Sequence, residues 1–216
     1  PGAKAGGPNY VAQLGTWSAA GLPTKGAPVA SAVRATVDAQ LATLGSSVGD
    51  DERAWLEAAL ASDAAAWADE LGVEHDESAL VVESNVFRYR PHPRVLVRAG
   101  GGTRVVELLR LVAAATLTGA HVVVSAAPGL DLPGSIGHVQ VVGEDDAAFV
   151  ARASRSADVR VRAIGAVTPT LVDELVAAGV DVITGEVLAT GRREVLPFVR
   201  EQAVSTTRHR FGHVAG

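Results

Sequence analysis

The stretch Gly100-Gly101-Gly102-Thr103 has the spacing closest to a ligand-holding motif. It follows an apolar segment at 94–97 and opens a strongly apolar helix pattern. In a βα turn of that kind, backbone N–H groups and the helix dipole can receive a phosphate. Arg104 and Val105 interrupt the glycine spacing of a dinucleotide fingerprint, and no Gly-Lys-Ser/Thr ending follows. The same glycines are equally suited to a plain tight turn. A second group is basic: Arg88 and Arg90 in ESNVFRYRP, with Phe87 and Tyr89 on the opposite face of an alternating strand. Guanidinium groups so placed could clamp a carboxylate or phosphate, or line a solvated face. Near the other end, Arg208-His209-Arg210 reads as a charged surface or docking tail. The chain has no Cys, which excludes thiolate nucleophiles, disulfides and cysteine metal sites. Its six histidines show neither a helix-face metal spacing nor a place beside a GxSxG nucleophile, so no catalytic or metal-binding residue is assigned. The acids Glu144, Asp145 and Asp146, like Asp173 and Glu174, sit where helices begin and complement helix dipoles.

The elements that position these residues belong to a folded α/β chain. Hydrophobic residues make up 48% of the 216, and mean hydropathy is +0.22, well above the disordered range. A net charge of -5 leaves no electrostatic footprint for nucleic acid. No apolar run is long enough for a membrane span, and no secretory signal is visible. A cytoplasmic protein is expected. The chain has no Met and starts at Pro1, which suggests processing or a cut from a longer polypeptide.

Residues 1–47 are punctuated by Gly and Pro and carry both lysines, Lys4 and Lys25. They read as an arm or linker continuing from an upstream domain, with one helix at 31–44. From 48 to 216 the pattern is that of a single α/β domain. A helix capped by Asp50 or Asp51 runs to Leu71 and stops at Gly72, with Trp55, Ala59, Ala66, Trp67 and Leu71 on one side. Strands are expected at 86–89, 94–97, 120–124, 139–142, 159–164 and 180–184, with an extended stretch at 202–207. Helices are expected from Thr103 to Gly119, from Glu144 or Asp145 to about Ser154, from Thr168-Pro169 to Gly179, and near 193–198. Strands and helices alternate across short glycine-marked joints, which predicts a doubly wound, mostly parallel sheet of the Rossmann kind.

Three segments carry a resemblance. PGAKAGGPNY resembles the GPKAGGP segment of glutamate-semialdehyde (pyrroline-5-carboxylate) dehydrogenases. ESNVFRYRP and REQAVSTTRHRFG resemble stretches in the C-terminal region of the bifunctional proline dehydrogenase/glutamate-semialdehyde dehydrogenases, the proline utilization A family. LVAAATLTGAHVVVSAAP is similar to the helix-strand unit of the aldehyde dehydrogenase nucleotide domain. There the family ends the strand with a cofactor-contacting Lys followed by Pro; Ser125 and Ala126 stand in those places here. The family's nucleophilic Cys is missing, and no stretch resembles its catalytic Glu motif.

The resemblance implies an aldehyde-dehydrogenase-like domain that has kept the fold and lost the site. Such a domain would cap the catalytic module and help close the internal route of the intermediate. FAD and NAD are then implied for the parent enzyme and no cofactor for this segment. The expected partners are the upstream catalytic domains of the same polypeptide, and homo-oligomers stay open. The docking candidates are Arg88, Arg90, Arg200, Glu201, Gln202, Arg208, His209, Arg210 and Phe211. The competing expectation is an NAD-binding oxidoreductase domain that uses Gly100, Gly101, Gly102 and Thr103.

Overall fold

A computed structural model describes Tyr10 and residues 21–208. The PGAKAGGPNY segment other than Tyr10, and His209, Arg210 and Phe211, lie outside the described residues.

The elements, in chain order, are α1 (Ser31–Leu44), α2 (Asp50–Ala66), β1 (Glu83–Pro91), β2 (Arg94–Ala99), α3 (Val105–Thr118), β3 (Val122–Ala126), β4 (Ser135–Ile136), β5 (Val139–Gly143), α4 (Asp146–Ser154), β6 (Val159–Ile164), α5 (Pro169–Ala177), β7 (Asp181–Ile183), α6 (Gly191–Glu194) and β8 (Val199–Thr207). Six strands form one sheet in the order β4-β5-β3-β2-β6-β7, parallel except for the β4–β5 pair. The expected doubly wound, mostly parallel sheet is therefore present. The two-residue strand β4 was not anticipated; it caps one edge by pairing antiparallel with β5.

Alternation along the strands sends side chains to two cores. Val95, Val97 and Ala99 face a core shared with α1, α2 and α3, whereas Leu96, Val161 and Ala163 face α4 and α5. Helix α3 is apolar on nearly every side because it lies beneath α1 and α2. Its Val106, Leu108, Leu109, Leu111 and Val112 are fully buried, each contributing roughly 1.5–3 kcal/mol relative to exposure. Helix α1 seats Val33 and Val37 in the same core.

Several boundaries differ from the sequence reading. Gly49, not Asp50 or Asp51, occupies the N-cap of α2, and the Glu52 carboxylate accepts its N–H at 3.3 Å. The last turn, Trp67–Leu71, widens into a π-helix, with Gly72 donating to the Trp67 carbonyl at 2.8 Å. Gly72 is not left-handed there; a Cβ would lie 2.7 Å from the Trp67 indole nitrogen, so close approach is what it provides. Helix α3 begins at Val105, because the Thr103 hydroxyl turns back to the Gly100 carbonyl at 2.8 Å. The caps at Asp145 and Thr168 fall where expected, accepting from Ala148 and Leu171. The expected helix at 193–198 is two pieces, α6 and a 3₁₀ turn at Leu196–Phe198. The largest difference concerns β1, which leaves the main sheet and pairs antiparallel with β8 in a two-stranded ribbon.

Candidate functional site

Two places in this fold gather the candidate residues: the crevice where strand order reverses, and the ribbon. In an open α/β sheet, ligands bind beyond the carboxyl ends of the strands at the reversal point. Here that point lies between β2 and β6, whose following loops diverge toward α3 and α5. The Gly100-Gly101-Gly102-Thr103 turn sits on it, as the sequence suggested.

The crevice is closed from within. Gly100 N–H donates to the Ile164 carbonyl at 2.9 Å, and Thr103 N–H to the Gly100 carbonyl at 3.3 Å. Gly101 and Ala166 exchange both backbone bonds, at 2.7 and 3.1 Å, as an antiparallel bridge between the two loops. Arg104 N–H donates to the Glu107 carboxylate at 2.9 Å. Glycine serves this packing: a Cβ on Gly100 would lie 2.2 Å from the Ala166 oxygen. One on Gly165, which is left-handed at φ +67, would lie 2.6 Å from the Thr103 hydroxyl. A phosphate would have to displace a neighbouring loop and a carboxylate. The amides of Gly100, Gly101, Thr103 and Arg104 already have acceptors within the chain, and the NAD-binding alternative gains no support from Gly100, Gly101, Gly102 or Thr103.

On the other side of β2 the strand ends are tied by Arg98, which is fully buried. Its guanidinium donates to the Ser125 hydroxyl at 2.7 Å, the Glu144 carbonyl at 3.0 Å and Asp146 at 2.5 Å, 5.0 Å from the Phe149 ring centre. Ser125, which stands where the resembled family has a cofactor-binding Lys, is thus an internal acceptor. Sequence reasoning missed Arg98 and three further buried arginines. Arg110 meets Asp63 in a bidentate pair at 2.5 and 2.6 Å, and Arg162 meets Glu194 at 2.8 Å. Burial pushes the Asp63 carboxyl up to about 6 against the pull of Arg110. The alternation Val-Arg-Val-Arg in β6 was the available signal. In a strand with neighbours on both sides, Arg160 and Arg162 must be paired if their face is covered.

The ribbon is the opposite case. The register pairs Arg88 with Gln202 and Arg90 with Arg200, so these docking candidates, more than a hundred residues apart, share one surface, whereas Glu201 pairs with Tyr89 on the opposite face. Arg88 Nε donates to Gln202 at 2.7 Å and its Nη1 to Glu74 at 2.5 Å; that bond is the main reason Glu74 is held below the usual carboxylate range. Arg200 pairs with Asp158 at 3.1 Å. Phe87 and Tyr89 occupy the other face as expected, edge-to-face at 5.3 Å and packed toward the core. Arg208 joins the ribbon by donating its N–H to the Val82 carbonyl at 2.8 Å.

One edge of the ribbon is open. Phe87 exchanges both backbone bonds with His75, at 2.7 and 2.8 Å, so its polar groups point away from β8. Its cross-strand partner Ala203 therefore turns its own N–H and C=O outward, and Ser205 and Thr207 follow by period two. No strand lies along that edge among the described residues.

The root of the ribbon is clamped. Arg160 donates through Nε to Asp181 at 2.7 Å. Its Nη1 faces the carbonyls of Val199, Pro197 and Leu196 at 2.8, 3.2 and 3.3 Å. His92 N–H donates to the Phe198 carbonyl at 2.8 Å, tying the other strand to the same point. Burial, and then the Arg160 charge, push the His92 imidazole down to about 4, so it is neutral at neutral pH.

No family model matches the sequence, and no curated protein matches it either. Solved structures do match. Proline utilization A from Corynebacterium freiburgense is 38% identical over 98% of this chain, with a TM-score of 0.67. The chain is a proline utilization A-like domain. It spans 18% of the length of that protein. A variant of proline utilization A from Bradyrhizobium japonicum is 17% identical over 71% of this chain and 19% of its own, with a TM-score of 0.53, and shows the same fold. In the proline utilization A-like domain, no helix among the described residues is long and apolar enough to cross a membrane.

Proposed function

We propose that this chain is the C-terminal, non-catalytic capping and assembly domain of a bifunctional proline-catabolic enzyme. That enzyme converts proline to glutamate through glutamate semialdehyde in the cytoplasm, with FAD and NAD bound in its catalytic domains. Residues 1–47 then form the arm that continues from the upstream dehydrogenase, with its helix α1 packed into the core of the aldehyde-dehydrogenase-like domain formed by residues 48–216. The domain holds no cofactor of its own and helps to close the route by which the semialdehyde passes between active sites.

The observation that carries this reading is the contrast between the two places just described. The ligand crevice of the fold is bridged by the chain's own loops, while the ribbon that carries Arg88, Arg90, Arg200 and Gln202 has a strand edge with no paired strand among the described residues. A strand edge is a template for another strand, which makes it an assembly element. Calorimetric titration of the chain with NAD tests the first half: no binding is expected, and micromolar affinity would overturn the reading. The second half is tested in the full polypeptide by replacing Ala203 with Pro, which removes an outward donor. Semialdehyde should then escape into bulk solvent and a lag should appear before glutamate forms. An unchanged lag would count against the channel role.

A further inference from the structure

The loop leading from α2 into β1 has an uncommon construction. Asp76 organises it with four hydrogen bonds, accepting from Ser78 Oγ at 2.8 Å, Ala79 N at 3.1 Å, Asn85 N at 3.1 Å and Ser84 Oγ at 3.2 Å. Those bonds, Ser78 first, hold its carboxyl below the usual range. Asn85 adds bonds to Glu83 and Ser78, and Ala79 is held in the left-handed region at φ 43. A non-glycine residue there is strained and persists only when its surroundings impose it.

What this scaffold displays is apolar. Leu80, Val81 and Val82 are 46%, 89% and 48% exposed and adjoin one another. No other two exposed large apolar residues of the described chain are neighbours in sequence. The Val82 carbonyl is fixed by Arg208, the residue that follows β8, so the triplet is anchored at the end of the ribbon opposite its root. Residues 73–85 carry Glu74, Asp76, Glu77 and Glu83; Arg88 pairs with Glu74 and Arg208 adjoins at Val82, which leaves Asp76, Glu77 and Glu83 against one arginine. An apolar knob with a rigid base and an acidic collar loses little conformational freedom on insertion, which favours tight docking. Its collar selects a basic rim.

We infer that Leu80, Val81 and Val82 form a preformed knob that inserts into an apolar socket rimmed by arginine or lysine on the catalytic part of the same polypeptide. The inference rests on the assembly reading above and adds to it a second contact, distinct from the strand edge.

The test is hydroxyl-radical footprinting of the full polypeptide, with Val176 as internal standard, since it is of the same residue type and 59% exposed on α5. Seated in a socket that excludes water, Val81 should be oxidised about tenfold more slowly than Val176. Val81→Asp should release Leu80 to oxidation by a similar factor and leave Val176 unchanged. A photocrosslinker at position 81 should reach apolar residues flanked by arginine or lysine in the catalytic part. Oxidation of Val81 at or above the Val176 rate overturns the proposal, as does an unchanged Leu80 in Val81→Asp. Crosslinks to a second copy of this chain, or to an acidic surface, overturn it too. Hydrogen exchange at Ala203 and Ser205 in the same sample separates the two readings. If those amides are protected while Val81 is oxidised freely, the assembly reading survives and the knob does not; if neither is protected, both fall.

Discussion

At the switch point the amides of Gly100, Gly101 and Thr103 are turned inward, while along β8 the backbone of Ala203, Ser205 and Thr207 is turned out. Both regions are assembled from segments distant in sequence, and both depend on backbone hydrogen bonding. They differ in where the unused valence is left. At the crevice, the Gly100, Gly101, Thr103 and Arg104 amides are already bonded within the chain. A strand whose donors are left over invites another strand. Under the proposed function, the sheet keeps its order while contact with the rest of the polypeptide is made at the rim rather than at the crevice.

Substitutions should separate the two regions. The largest effect is expected in the body. Arg110→Ala leaves the Asp63 carboxylate buried without its partner and should cost about 3–5 kcal/mol, seen as a lower urea midpoint for the whole domain. Next comes the ribbon root. Arg160→Ala strands Asp181 and the carbonyls of Leu196, Pro197 and Val199, a loss of about 1.5–3 kcal/mol. The loss should be local: amides of β1 and β8 should exchange faster while those of β2 and β3 keep their rates. Simultaneous loss in both would mean that Arg160 is an ordinary core residue. Gly165→Ala comes third, forcing a Cβ against the Thr103 hydroxyl and costing about 1–3 kcal/mol by overpacking. NAD should still fail to bind that variant, because the loop moves without freeing the Arg104 amide from Glu107.

The last effect is on pH dependence and grows only as the pH is lowered. The His92 pKa is lowered from 6.5 to about 4, so below 6.5 the unfolded chain takes up a proton that the folded chain refuses. Its contribution therefore falls as pH drops from 6.5 to 4. Asp63 has the opposite sign: raised from 3.8 to about 6, its contribution is present below 3.8 and is lost as pH rises through 6. The two slopes, each at most about 1.4 kcal/mol per pH unit, oppose one another in the native chain. His92→Asn removes one of them. The urea midpoint of that variant, measured between pH 7 and 4, should rise relative to the parent chain as the pH is lowered.

Much of the fold was legible because short-range physics decides it. The caps at Asp145 and Thr168, the proline at 169 and the apolar stripe of α3 each declare an element locally. The pairing of β1 with β8 was not legible as a ribbon. A strand's alternation says which face is buried but not which strand lies beside it, and these two are separated by more than a hundred residues. Arg88, Arg90, Arg200 and Gln202 could therefore be chosen one by one without any sign that they meet. The closed crevice was hidden for a related reason. Three glycines in a βα turn read alike whether they make room for a phosphate or for Ala166; only the position of the β6–α5 loop separates the two cases. The buried arginines escaped because their partners, Asp63, Asp146 and Glu194, come from other elements.

Hydrogen exchange of the full polypeptide, with and without NAD, tests most directly the claim that the rim and not the crevice is the working surface. Slow exchange at Ala203, Ser205 and Thr207 is expected, with residues 100–103 and 165–168 insensitive to NAD. Exchange of the β8 edge at the rate of an unpaired strand, together with NAD-dependent protection of the Gly101–Ala166 bridge, would contradict it.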